Sequence, residues 1–204
     1  MPIFFICMLI FVAWLWYERN KHSRIVTRKT QEFWEREEEA NHTRNKDISN
    51  LPYLHMNMEK IPGREHPHIP IATLWNQLND MSHEPMLDLA DYSNTDLKLH
   101  YGVGNFKVLT SYDDNYNNFL VQLSILGRTF SEIGDTNSAI ACYEQVLADG
   151  SRKIQDFHAL AKLYLGADRP EAVNELISQV SNDSSLERKD GILMKLRETL
   201  ATYQ

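Results

Sequence analysis

Apolar residues recur along most of the chain at intervals of three and four positions, which is the spacing of one face of an α-helix. Leu74, Trp75 and Leu78 are an early example, and similar patterns continue towards the C-terminus. The pattern therefore predicts an all-α fold. Changes in composition along the chain divide it into five predicted segments, which are residues 2–17, 18–46, 47–70, 71–110 and 113–204.

Two signals mark the ends of one helix within residues 71–110. Ser93 precedes Asp96 by three positions, which is the spacing of a capping box, and Gly102 is typical of a C-terminal stop. The stretch GVGNF that begins at Gly102 is too short for a dinucleotide-binding loop and follows no predicted strand. We therefore interpret it as a turn that ends a group of short helices.

The N-terminal segment is continuously apolar instead of periodic. Residues 2–17 form a run of 16 apolar residues, which as a helix covers about 24 Å. This is slightly less than the ~30 Å hydrocarbon core of a bilayer. Local thinning and the interfacial aromatics Trp14, Trp16 and Tyr17 can absorb the difference. The run therefore predicts a transmembrane anchor, with the lipid bilayer as one partner.

The charges that flank the anchor predict its orientation. No basic residue precedes it, which argues against a cleaved secretory signal. Five basic residues follow it within a dozen positions: Arg19, Lys21, Arg24, Arg28 and Lys29. By the positive-inside rule, we expect a single-pass protein of the cell membrane with its N-terminus outside and its C-terminal domain in the cytoplasm. The reversed, extracytoplasmic orientation stays open as an alternative.

Residues 18–46 and 47–70 lead from the anchor to the body. The first are charged and rich in good helix formers, which predicts a helical stalk. Phe33 and Trp34 are large aromatics on this otherwise polar stalk, so we expect them to pack on the body or to rest at a membrane interface. The second segment contains several prolines, which predicts a linker that lies extended along the domain.

Charge narrows the range of partners. The formal charge is −7, with 8 Lys and Arg against 7 Asp and Glu in residues 1–50, and 13 against 21 in residues 51–204. Nucleic acids are bound by clustered Lys and Arg, so an acidic body without a basic stripe argues against a nucleic-acid partner.

Candidate chemistry is sparse. Cys7 and Cys142 allow neither a disulfide framework nor a zinc knuckle. No nucleophile–base pair, phosphate loop or metal triad is recognisable, so we expect no catalytic residues, no cofactor and no metal. An enzyme subunit with an unrecognised site in residues 51–117 is the less favoured alternative.

The most specific pattern begins near Phe119 and is followed by a second copy. The first copy contains a Leu-Gly pair, an aromatic residue, a Gly-Asp turn, a small residue and a second aromatic residue: Leu126, Gly127, Phe130, Gly134, Asp135, Ala139 and Tyr143. In the second copy we assign the matching positions to Leu160, Ala161, Tyr164, Ala172 and Leu176, with a turn one residue shorter at Asp168, Arg169 and Pro170.

These residues resemble tetratricopeptide repeats, which are helix–turn–helix units of about 34 residues. The resemblance implies that residues 113–204 form a short α-solenoid, in which an amphipathic helix around Leu193 and Leu196 caps the stack. The helices of residues 71–110 are then flanking helices. The overall layout also resembles that of membrane-anchored repeat proteins of clostridial bacteria.

The resemblance also implies a groove that binds a protein or peptide partner. The family's groove positions fall on six residues: Ser124, Arg128, Glu132, Gln155, His158 and Lys162. Arg128, His158 and Lys162 form a small basic patch, which we expect to pair with a carboxylate of a partner peptide. The expected function is that of a membrane-tethered adaptor or scaffold.

Overall fold

The computed structural model describes residues 2–184, 186 and 188–203 of the chain. All regular elements in these ranges are helical and no strand occurs in them, which confirms the all-α prediction. The elements are α1 (Pro2–His42), a short 3-10 helix (Met58–Lys60), α2 (Ile69–Met81), α3 (Asn94–Tyr101), α4 (Val103–Glu132), α5 (Thr136–Ala148), α6 (Ile154–Gly166), α7 (Pro170–Asn182) and α8 (Lys189–Tyr203).

The predicted anchor and the first part of the predicted stalk belong to one helix, because α1 continues without a break to His42. The large apolar side chains from Phe4 to Tyr17 are 46% to 69% exposed. Within the described part of the chain, no helix combines the length and the apolar character that crossing a membrane requires. The transmembrane anchor predicted for residues 2–17 is therefore unsupported.

The chain forms two compact units, each built from two stretches of sequence. The first comprises the chain up to Leu51 together with Leu89–Leu109. The second comprises Pro52–Asp88 together with the chain from Thr110 onward. The boundary at Leu51 falls inside the predicted linker, and α4 continues across the boundary at Leu109 without interruption.

The first unit joins the end of α1 to α3 through polar contacts. Lys98 Nζ lies 3.1 Å from both Glu37 Oε1 and Asn41 Oδ1. The predicted start of α3 is confirmed, because the Asp96 N–H donates to Ser93 Oγ at 3.2 Å and the Ser93 N–H donates to Asp96 Oδ2 at 3.1 Å. This reciprocal pair of bonds satisfies two backbone donors that the helix end would otherwise leave without a partner.

Gly102 separates α3 from α4 by a single residue. Its φ is +89°, and a Cβ at this position would lie 2.5 Å from Asn45 Cα, so both the backbone conformation and the space require glycine. The interpretation of GVGNF as a turn is wrong beyond Gly102, because Gly104 already lies in α4 and its N–H donates to Asn45 Oδ1 at 2.8 Å. One residue with positive φ is enough to change the direction of the chain.

The first apolar cluster of the second unit is built on α2, α4 and α5. Its most buried members include Ile71, Leu78, Phe119, Leu123, Leu126 and Phe130. The predicted linker contributes to this core: Ile61 is 4% exposed, and its carbonyl oxygen accepts a hydrogen bond of 3.0 Å from Trp75 Nε1. Residues 52–61 are thus part of the folded unit instead of a spacer beside it.

The second apolar cluster has α6 at its centre, in contact with α5, α7 and α8. Buried residues come from all four helices, and they include Tyr143, Phe157, Leu160, Tyr164, Val173, Leu176, Ile192 and Leu196. Because α8 packs on both α6 and α7, its apolar face is covered by these helices.

The α4–α5 and α6–α7 pairs have the same helix–turn–helix spacing. Glu132 and Gly166 end the first helices of the two pairs, and they are as far apart in sequence as Thr136 and Pro170, which begin the second helices. We call this separation the repeat length. The ends of the first helices and the starts of the second helices are separated by this same length, so the two turns contain equal numbers of residues. The prediction of a shorter second turn is therefore wrong.

The same spacing corrects the position of the small residue in the second pair. The residue one repeat length after Ala139 is Val173, and both side chains are fully buried. Ala172 is only half-buried, so its assignment to the buried position is wrong. The prediction matched alanine with alanine, but the position along the helix decides which side chain faces the neighbouring helix.

Candidate functional site

A pocket of about 430 Å³ lies between α6 and α8. Its basic and acidic residues are His158 and Lys162 on α6, and Lys195 and Glu198 on α8. The remaining lining residues are Leu165, Gly166, Thr199, Thr202 and Tyr203. Both threonine hydroxyls donate to main-chain carbonyls of α8, so they present oxygen lone pairs to the pocket. The pocket therefore combines a basic wall with hydroxyl acceptors.

The helical period places these side chains in the pocket. His158 and Lys162 are four positions apart and so share one face of α6, while Leu160 and Ala161 between them are buried in the core. On α8 the polar residues that line the pocket recur at the same intervals, beginning with Lys195.

The electrostatics of the pocket favour an anion. Burial lowers the pKa of His158, the neighbouring Lys195 and Lys162 lower it further, and Glu198 opposes this change. Lys195 Nζ lies 3.0 Å from Glu198 Oε2. Among the described residues, the Lys162 ammonium has no hydrogen bond or ion pair, so its charge is available to a ligand.

A contact beside the pocket joins the end of α8 to the turn between α6 and α7. Tyr203 Oη donates a hydrogen bond of 2.9 Å to Asp168 Oδ1. This bond, together with burial and the negative charge of the carboxylate, raises the pKa of Tyr203. The contact fixes the position of Tyr203, which lines the pocket.

Ser124, the first of the predicted groove residues, is engaged in a polar cluster instead. Its hydroxyl lies 2.9 Å from Asp156 Oδ1, and Asp156 is only 4% exposed. The Ser151 hydroxyl donates to the other Asp156 oxygen at 2.5 Å. Buried carboxylates need hydrogen-bond donors, so the Ser124 side chain serves the buried Asp156 carboxylate instead of a partner protein.

Three further predicted residues are on the surface and do not line the pocket. Arg128 Nε lies 3.8 Å from Glu132 Oε1, with both side chains exposed, and Gln155 is also exposed. Of the six predicted groove residues, the structure therefore brings only His158 and Lys162 to the pocket. In the predicted basic patch, Lys195 takes the place that was assigned to Arg128.

Lys195 was missed because no local signal distinguishes it. It is one of several basic residues between the apolar positions of α8, and a charged residue in that pattern is ordinarily a solvated one. Only the packing of α8 against α6 brings its ammonium group close to His158.

A second pocket, of about 530 Å³, lies among α5, α6 and α7 and has the opposite charge. Its lining includes three acidic residues, Glu144, Glu175 and Asp183, against one basic residue, Arg152. Tyr164 Oη donates a hydrogen bond of 2.7 Å to Glu144 Oε1, so one of these carboxylates is already engaged. An anion therefore has its favourable site between α6 and α8 and not here.

Within the described ranges, no three His, Cys, Asp or Glu side chains converge to hold a metal. Burial raises the pKa of the Cys142 thiol to about 12, which leaves it protonated at neutral pH. Comparisons of the chain with models of protein families, with curated proteins and with solved structures find no match.

Proposed function

We propose that this chain is a protein-interaction module that binds a partner protein or peptide along the first helices of its helix–turn–helix pairs. The observation that carries the proposal is the convergence of His158, Lys162 and Lys195 on one pocket. Glu198 pairs with Lys195, and among the described residues the Lys162 ammonium keeps its charge without such a partner, so a negatively charged ligand is the best match for the pocket.

The arrangement of the helices supports a relationship to tetratricopeptide repeats. The two pairs repeat at a spacing of about 34 residues, which is the length of that family's unit. Gly127 supports it further, because a Cβ there would lie 3.0 Å from Tyr143 Cε2, so the two helices of the first pair approach closely. Repeats of this kind expose the face of their first helices to partners.

The bound segment is an extended or helical peptide with an acidic side chain at the pocket. Its carboxylate accepts charge-assisted hydrogen bonds from Lys162 and Lys195, and the threonine oxygens of α8 accept neutral ones from amide groups of the peptide. Since the ammonium groups are partly exposed, each pair contributes modestly, and affinity depends on the whole length of the contact.

The proposal is tested by photo-crosslinking in living cells. A photoreactive residue at Thr199, inside the pocket, is expected to capture a partner, and Lys162→Glu in the same chain is expected to reduce the capture. As a control, the photoreactive residue is placed at Glu132 instead, which is exposed and lies outside the pocket. The double variant Arg128→Glu, Lys162→Glu tests the groove as predicted from sequence. If capture at Thr199 is unchanged by Lys162→Glu, the proposed function is wrong.

A membrane location is a further part of the proposal. The apolar side chains of residues 4–17 are exposed, and an exposed apolar surface of this kind is typical of a membrane or protein contact. We infer from the sequence that this segment holds the module at a cell membrane, with the repeats in the cytoplasm. Alkaline extraction tests the attachment, and protease accessibility of the C-terminus in intact cells tests the orientation against its extracytoplasmic alternative.

A further inference from the structure

The first unit has a second candidate site, on α1, that differs in chemistry from the pocket between α6 and α8. A pocket of about 570 Å³ is lined by Phe33, Trp34, Glu37, Glu38, Asn41, His42 and Lys98. Phe33 and Trp34 were expected to pack on the body or to rest at a membrane interface. The two rings are 52% and 64% exposed, with their centroids 5.4 Å apart in an edge-to-face arrangement, and the contact with a membrane interface stays a prediction.

Lys98 does not leave a positive charge available in this pocket. Its ammonium group lies 3.1 Å and 3.2 Å from the two oxygens of Glu37 and 3.1 Å from Asn41 Oδ1. An ammonium group has three donors, and these three acceptors use all of them. The charges of Lys98 and Glu37 therefore cancel within the pocket.

Glu38 supplies the remaining negative charge. Its side chain is exposed, and among the described residues its carboxylate has neither a hydrogen bond nor an ion pair. Glu38 follows Trp34 by four positions, so the carboxylate and the indole share one face of the helix. A cation above the indole ring is attracted by the negative face of the ring and by this carboxylate.

We propose that this pocket binds an arginine side chain of a basic partner peptide, stacked on Trp34 and paired with Glu38. The guanidinium group is planar and presents a fork of donors, so it can stack on the ring and bond the carboxylate at the same time. A choline headgroup has no such donors, and the acidic run of residues 37–39 repels the lipid phosphate that accompanies it. The chemistry therefore favours a basic peptide over a lipid surface.

The test measures binding of a short fluorescein-labelled peptide of alternating arginine and alanine to the full-length chain by anisotropy. Trp34→Ala and Glu38→Gln are each expected to weaken binding about three- to tenfold, and Trp34→Phe to weaken it less, because Phe retains an aromatic face. The matched control is Glu39→Gln, which removes the same charge from a neighbouring residue that does not line the pocket. It is expected to change the affinity by less than about twofold.

Several outcomes overturn the proposal. Equal losses of affinity in Glu38→Gln and Glu39→Gln indicate only general attraction between opposite charges. Unchanged binding by Trp34→Ala shows that the peptide does not stack on the indole. Failure of the wild-type chain to bind the peptide also overturns it. So does Trp34-dependent binding to phosphatidylcholine vesicles that the peptide does not displace, because it assigns the aromatic pair to a lipid surface. Circular dichroism of each variant verifies that α1 is retained.

Discussion

The α4–α5 and α6–α7 pairs repeat with one spacing but meet the same geometric demand with different residues. At the close approach in the first pair stands Gly127, where a Cβ would lie 3.0 Å from Tyr143 Cε2 and 3.1 Å from Cys142 Cβ. The residue one repeat length after Gly127 is Ala161, which is fully buried. The residue one repeat length after Tyr143 is Ile177, a smaller side chain. The residue one repeat length after Cys142 is Leu176, a larger side chain, so the second pair fills the same positions with a different distribution of side-chain sizes.

The turns of the two pairs show a similar difference. Gly134 in the first has φ +82° and Asp168 in the second has φ +56°. Positive φ is costly for residues with a Cβ, although Asp tolerates it better than most. Asp168 also accepts the hydrogen bond from Tyr203, which joins the second turn to α8. The two turns therefore share a positive φ but differ in their chemistry.

Ser124 and His158 occupy equivalent positions in the two pairs and have different roles. The Ser124 hydroxyl contacts Asp156 of the following helix pair, whereas His158 lines the pocket beside α8. A first helix that is followed by another repeat thus has part of its exposed face satisfied internally. After the second pair, the chain continues only with α8, and the equivalent face of α6 at His158 stays available to a ligand.

The comparison at the close approach is tested by Gly127→Leu. Because the added side chain would overlap the Tyr143 ring and the Cys142 side chain, we expect the free energy of unfolding to fall by about 3 kcal/mol or more. The measurement is urea denaturation followed by circular dichroism. The matched control is Gly166→Leu, at a position where a Cβ meets no atom within 4 Å. Equal losses in the two variants would show that Gly127 does not serve a close contact.

The corrected position of Val173 is tested by Val173→Ala. Removing two buried methyl groups and leaving a cavity is expected to lower the free energy of unfolding by about 2 kcal/mol. Ala172→Ser, at the half-buried neighbour, is expected to change it by about 0.5 kcal/mol or less. Thermal and urea denaturation give both values. A larger loss at Ala172 than at Val173 would restore the original assignment of the small residue.

The comparison of the turns is tested by Gly134→Ala and Asp168→Gly. We expect the first to lower the free energy of unfolding by about 1 kcal/mol, because alanine at φ +82° is strained although the surrounding space is open. The second is expected to have a smaller effect, since relief of the positive φ offsets loss of the bond from Tyr203. Denaturation of both variants under one condition checks the order. The reverse order would mean that the bond to Tyr203 outweighs the backbone strain.

The smallest expected effect concerns His158 and its lysine neighbours. NMR titration should give His158 a pKa below the ordinary histidine value, and Lys195→Gln should raise it. Because the pKa is lower in the folded state, the stability that His158 contributes is present above its unfolded pKa and is lost as the pH falls through the folded pKa. Lys195→Gln should reduce that loss. An unchanged His158 pKa in this variant would place the two side chains too far apart to interact.

Much of the fold was predictable because its signals are local. The period of apolar residues predicted the helices, the Ser93 and Asp96 pair predicted the start of α3, and the spacing of the repeats matched the helix ends of the two pairs. Local signals also mislead: the stretch GVGNF from Gly102 predicts a turn of several residues, but one glycine with positive φ is sufficient and α4 follows at once. Conformational preference predicts that a chain bends but not how many residues it uses.

The sequence by itself determined the helical class, the caps and the repeat length, since backbone sterics and hydrogen bonds act between residues a few positions apart. Tertiary structure alone decided that Val173 is buried, that Ser124 serves Asp156 and that Lys195 meets His158. Tertiary structure also decided that Ile61, in the predicted linker, is buried in the first apolar cluster. Each of these outcomes joins residues that are distant in sequence, and close packing of whole helices selects such contacts together.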